Sequence, residues 1–115
     1  MNKDYLENIF VREDYIEICK KLFEKFGRTQ EVIMCLEEMA ELQKELCKNI
    51  NRNKSNVDEI ASEIADVYLM LKQVQILYNI TDKDIKNIMD YKVDRLKEKG
   101  EDLENGNKNL YTDNK

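Results

Sequence analysis

The sequence predicts an all-α fold, and three observations carry that expectation. Its 115 residues include no proline and only three glycines, which removes the strongest interruptions of helices. Charged residues make up 37% of the chain, more than the half-buried strands of a small β domain accommodate. Apolar residues recur at three- and four-residue steps through most of its length.

Each element follows from that periodicity and its punctuation. Tyr15, Ile18, Cys19, Leu22, Phe23 and Phe26 form the first stripe, which predicts a helix from about Glu13 to Phe26, stopped by Gly27. Residues 1–12, with Tyr5, Leu6, Ile9, Phe10 and Val11, read as an N-terminal arm or an extra turn. Thr29 is the expected N-cap of a second helix running to about Asn49, with Glu31 near its positive end. Asn51 to Asn56 is a polar connection, and Asn56 followed by Glu59 resembles a capping box that opens a third helix over about Val57 to Tyr78. Thr81 with Asp84 opens a fourth, whose stripe is Ile85, Ile88, Met89, Val93 and Leu96 and whose end is expected near Gly100. Residues 13–100 thus read as one four-helix, bundle-like domain, and residues 101–115 as a polar flexible tail.

Composition narrows the function. A net charge of -5 gives no support for extended contact with a nucleic-acid backbone, although acidic clusters would concentrate divalent cations and so admit a phosphate ligand. Cys19, Cys35 and Cys47 lack metal-binding spacing in a chain without histidine and are expected as reduced core thiols. No signal peptide or membrane span is apparent, which predicts a cytoplasmic protein.

The chemistry is expected in two acidic pairs. In the second helix Glu37, Glu38 and Glu41 share one face, Glu38 and Glu41 being about 60° apart. Val32, Leu36, Met39, Leu46 and Ile50 centre on the opposite side, so the trio alone is compatible with an ordinary solvated face. Glu63 and Asp66 are also about 60° apart, but on a helix that is apolar on nearly every side, with Met70, Val74 and Leu77 near Asp66. A carboxylate there requires a proton, a cation or a metal. Two antiparallel helices bringing these acids together would make an all-oxygen site suited to Mg²⁺ or Mn²⁺, and hence to a polyphosphate. A di-iron centre is disfavoured because no histidine is present to complete it. On the fourth helix Lys92 lies in the apolar stripe with Arg95 on its flank, either snorkelling to water or contacting phosphate.

The ordered pair E-E-x-x-E (Glu37, Glu38, Glu41), 21 residues, then E-x-x-D (Glu63, Asp66) resembles the MazG-like all-α nucleoside triphosphate pyrophosphohydrolases. Phe26-Gly27, Gln30, the run Glu37 to Leu42 and Ala65-Asp66-Val67 are similar to that family's usual context, so the resemblance covers about residues 13–99. It implies hydrolysis of a ribo- or deoxyribonucleoside triphosphate to the monophosphate and pyrophosphate. It further implies Mg²⁺ held by Glu38, Glu41, Glu63 and Asp66, and a homodimer or homotetramer; by proximity in sequence, Glu37 or Glu41 is the expected general base. Lys92 and Arg95 match its phosphate contacts, but Asp94 stands where the family shows Asn. The competing expectation is a non-catalytic helical dimerisation module with a solvated acidic face. On that reading Asp66→Asn would leave function intact.

Overall fold

The computed structural model describes residues 11–52 and 55–105. Among these, every regular element is an α-helix: α1 (Asp14–Phe26), α2 (Arg28–Asn51), α3 (Val57–Leu77) and α4 (Asp82–Glu104). The chain divides into two compact units, Met1–Asn79 and Ile80–Lys115.

In the first unit α2 and α3 pack as a pair, and α1 lies against both. A single residue, Gly27, separates α1 from α2. Its backbone has φ 81° and ψ 163°, a region that side chains with a Cβ rarely enter, and its N–H donates to the Phe23 carbonyl at 2.9 Å. The second helix therefore begins at Arg28, and Thr29 lies inside it instead of capping it. Arg28 also ties the start of α2 to the end of α3. Its Nη2 donates to the Leu77 carbonyl at 2.8 Å, satisfying one of the free carbonyls of that helix end. The guanidinium also lies 4.9 Å from the centre of the Tyr78 ring. Beyond it, Asn79 takes a positive φ of 56°, which asparagine tolerates better than most residues.

Two other expected boundaries shift. Asn56 precedes α3 but makes no capping bond, because its side chain turns inward to α2. In the second unit Thr81 does cap α4, its Oγ1 accepting from the Asp84 amide at 3.1 Å. That helix runs through Gly100 to Glu104, four residues past its expected end, because glycine weakens a helix without forbidding it. Residues 1–10 of the expected arm over 1–12 and residues 106–115 of the expected tail over 101–115 lie outside the described residues, while residues 101–104 of that tail are helical.

Among the described residues of the first unit, few apolar side chains are fully buried and many are partly so. Cys19, Cys35 and Leu77 are its buried apolar residues, alongside the buried polar side chains Glu31, Glu45, Asn56 and Gln73. Cys47, expected in the core, is exposed. The inward face of α2 is not its most apolar one: Glu31, Cys35, Glu38, Leu42, Glu45 and Asn49 point toward the interior, whereas Leu36, Leu46 and Ile50 are exposed. On α3, Val57, Ile64, Tyr68 and Leu71 form an exposed apolar strip on the face turned away from Asp66. No described helix is long and apolar enough to cross a membrane.

Candidate metal centre

Glutamates recur every seventh residue along the inward face of α2, at 31, 38 and 45. Seven residues are almost two full helical turns, so the three side chains stack about 10.5 Å apart on one side of the helix. On antiparallel α3 the facing positions are Gln73, then Asp66 and Glu63, then Asn56, spaced by the same seven residues. The α2–α3 seam is thus built of three polar layers.

The two outer layers pair a glutamate with an amide. Gln73 Nε2 donates to Glu31 Oε1 at 2.6 Å, and Tyr15 of α1 donates its hydroxyl to Gln73 Oε1 at 3.2 Å. Glu31 and Gln73 are each only 1% exposed. The burial of Tyr15, followed by the proximity of Cys19 and Glu31, raises its hydroxyl pKa well above the ordinary value. At the other end, Asn56 Nδ2 donates to both Glu45 Oε1 and the Glu45 carbonyl at 2.9 Å, while Asn49 donates to Asn56 Oδ1 at 3.1 Å. Lys48 completes this layer, its ammonium 3.2 Å from Glu45 Oε2.

The central layer has the opposite composition. Glu38, Glu63 and Asp66, all half-buried, each offer a carboxylate oxygen such that the three lie within 4.8 Å of one another. None of the three can donate when ionised. Glu63 Oε1 is buried and has no hydrogen-bond partner among the described residues, and the same holds for Glu31 Oε2 in the first outer layer. Burial, followed by the charges of Asp66, Glu41 and Glu37, pushes the Glu38 carboxyl above the ordinary carboxylate value. Burial, followed by Asp66, Glu38 and Glu41, does the same to Glu63.

This donor set fits a hard divalent cation. Oxygen ligands at 2.0–2.1 Å from Mg²⁺ would be about 3 Å apart when adjacent and about 4 Å when opposite, and Ca²⁺ would place opposite ligands at about 5 Å. Three carboxylate oxygens within 4.8 Å are compatible with either ion after small side-chain adjustments. Three protein ligands also leave positions for water or phosphate oxygens.

Of the acids singled out from the sequence, Glu38, Glu63 and Asp66 converge. Glu37 and Glu41 are exposed and lie outside that group of three, though their charges reach it. Lys92 and Arg95 are exposed residues of α4, in the second unit. Local sequence signals do not reveal the outer layers, because by them Glu31 is a first-turn acid and Asn56 a cap. The signal that would have found them is the seven-residue glutamate repeat matched by Gln73 and Asn56 at seven-residue offsets from Asp66 and Glu63. Comparison with known proteins adds no family: no family model, no curated protein and no solved structure matches this chain.

Proposed function

We propose that the protein is a Mg²⁺-dependent nucleoside triphosphate pyrophosphohydrolase, with Mn²⁺ as a possible substitute, and that Glu38, Glu63 and Asp66 hold its metal. The observation that carries this reading is the contrast within the seam: an amide N–H donates to one oxygen of each outer glutamate, whereas the central one faces two more acids. Three half-buried carboxylates held this close, one with a buried unpartnered oxygen, favour a bound proton or cation. The order and spacing of E-E-x-x-E and E-x-x-D on the paired helices favour a nucleotide polyphosphate as the ligand that the cation receives.

A bound Mg²⁺ would neutralise phosphate oxygens and lower the pKa of coordinated water. The protein contributes the rest. Glu38 on α2 and Glu63 with Asp66 on α3 hold their oxygens together from two rigid helices, so the ligand geometry is set before substrate arrives. Glu41 and Glu37, exposed and within electrostatic range of these ligands, are the candidates for accepting the proton of an attacking water. Glu41 keeps the alternative role of a further ligand.

The exposed apolar side chains of α2 and α3 support association with a second copy of the chain, as a dimer or tetramer. Light scattering on the purified protein tests this: a mass of two or four chains is expected, and Leu71→Glu should shift it toward one.

The activity is tested by incubating the protein with each common ribo- and deoxyribonucleoside triphosphate in Mg²⁺ or Mn²⁺. Pyrophosphate and the monophosphate should appear in equal amounts from at least one substrate and vanish with chelator. Absence of pyrophosphate from the whole panel sinks the proposal in favour of a non-catalytic dimerisation module.

A further inference from the structure

We infer that the outer layers, Glu31–Gln73 and Glu45–Asn56, are positioning pairs that set the register of α2 on α3 and thereby bring Glu38 opposite Glu63 and Asp66. This rests on the metal-centre reading and adds to it a role for residues that touch neither metal nor substrate.

A seam of carboxylates has a reason to slip. In the metal-free protein the ionised central acids repel one another, and any sliding or rotation of one helix that separates them is favourable. Apolar contact would resist this weakly, since the apolar side chains of the two helices, such as Leu42, Val67 and Met70, are only partly buried and apolar surfaces tolerate changes of register. The hydrogen bonds at the two ends are directional. A shift of one residue moves a side chain by about 1.5 Å along the axis and 100° around it, which breaks the 2.6 Å bond at Glu31 and the 2.9 Å bonds at Glu45 together.

The two pairs also bracket the acids symmetrically. Glu31 and Glu45 are each seven residues from Glu38, Gln73 is seven beyond Asp66, and Asn56 is seven before Glu63. Each pair is anchored in turn by a second group. Tyr15 bonds Gln73 from α1, and Asn49 and Lys48 hold Asn56 and Glu45. Buried polar pairs that fix register at some cost in stability are known from helical assemblies, and here the register has a recognisable beneficiary in the acid cluster.

The test compares Glu31→Met/Gln73→Met, which preserves side-chain length and removes the bond, with Glu31→Gln, which keeps an oxygen for the Gln73 amide to donate to. Two quantities are read on the full-length protein: Mn²⁺ affinity by electron paramagnetic resonance, and NMR cross-peaks between Glu38 and Asp66 side-chain protons without metal. The methionine pair is expected to melt at or above the wild-type temperature, yet to bind Mn²⁺ about 10- to 100-fold more weakly and to lose those cross-peaks. Glu31→Gln should retain both. Gln73→Asn, which shortens the amide arm by one methylene, should weaken Mn²⁺ binding even if the methionine pair fails to fold. Unchanged affinity and cross-peaks in the methionine pair or in Gln73→Asn overturn the inference. So does a Glu31→Gln variant as impaired as the methionine pair, because charge and not the bond would then be acting. If wild-type protein binds no Mn²⁺, the metal reading fails, and the cross-peaks alone decide the register role.

Discussion

The outer and central layers of the α2–α3 seam share a helix pair, an inward orientation and a glutamate from α2, and differ in what α3 places opposite. Gln73 and Asn56 supply N–H donors, so the outer glutamates are held within the protein. Glu63 and Asp66 supply only further charge, so the central one is not. The difference lies in the partner: where an amide donates to the outer glutamates, carboxylates opposite the central one leave three acidic oxygens within reach of a single cation.

The most severe way to break the contrast is to make the central layer resemble its neighbours. Asp66→Asn should cost about 10²–10³-fold in pyrophosphate release under Mg²⁺, because weakening metal-assisted charge stabilisation removes several kcal/mol from the transition state. The same substitution should raise, or leave unchanged, the melting temperature of metal-free protein while abolishing the rise that Mg²⁺ gives the wild type. A variant that keeps its turnover would show that Asp66 is not a ligand. The reverse exchange, stripping an outer layer of its donor, should act on stability. Gln73→Leu strands the buried Glu31 and is expected to cost about 3 kcal/mol, measured by urea unfolding with and without Mg²⁺.

A control outside the seam is Gly27→Ala. Among the described residues, none beyond its chain neighbours lies within 4 Å of the added Cβ, so the expected cost is that of the backbone conformation, about 1–3 kcal/mol by urea unfolding. Because α2 and α3 keep their layers, Mn²⁺ affinity should not change with it.

The smallest expected effect is the pH dependence of the central layer. Glu38 and Glu63 have carboxyl pKa values raised in the fold above the ordinary 4.5, so the folded state favours their protonated forms. That contribution is fully present below about pH 4.5 and is lost as pH rises through the raised folded values. These two groups should therefore lower metal-free stability as pH increases from 4.5 toward neutrality. Saturating Mg²⁺ should remove or reverse that slope, because the metal binds the ionised forms. Urea midpoints between pH 4.5 and 7, with and without Mg²⁺, measure it; identical slopes in Glu38→Gln and wild type would assign the effect elsewhere.

Much of the helical framework was legible in the sequence because periodicity and punctuation are local signals. The stripe from Tyr15 to Phe26 and its stop at Gly27 gave α1 nearly to the residue, and Thr81 capped α4 as expected. Two caps failed for physical reasons that a local reading does not contain. Thr29 lost to the freedom of Gly27 to begin the helix earlier, and Asn56 found better partners across the seam than in its own first turn. Apolar content marks the interior of α2 only in part, since Val32 and Met39 are partly buried. In a seam closed by amide–carboxylate bonds, Leu36, Leu46 and Ile50 are left outside, and Glu38 comes in. Asp66 was legible on its own, as an acid on an apolar helix. The grouping of Glu38 with it, in preference to Glu37 and Glu41, needed the helix pairing that only the fold supplies.

The layered seam also has a kinetic consequence. The Glu45–Asn56 contact closes 11 residues of chain, whereas Glu31–Gln73 closes 42. Loop entropy favours the shorter closure, so the helix pair is expected to zip from its connection outward. The mutually repelling acids would then meet before the farthest layer fastens. Variants at Asn56 should therefore slow folding, while variants at Gln73 should mainly speed unfolding, a division that stopped-flow chevrons can read. Glu31–Gln73 would act as the latch of the hairpin, fastened last and released first.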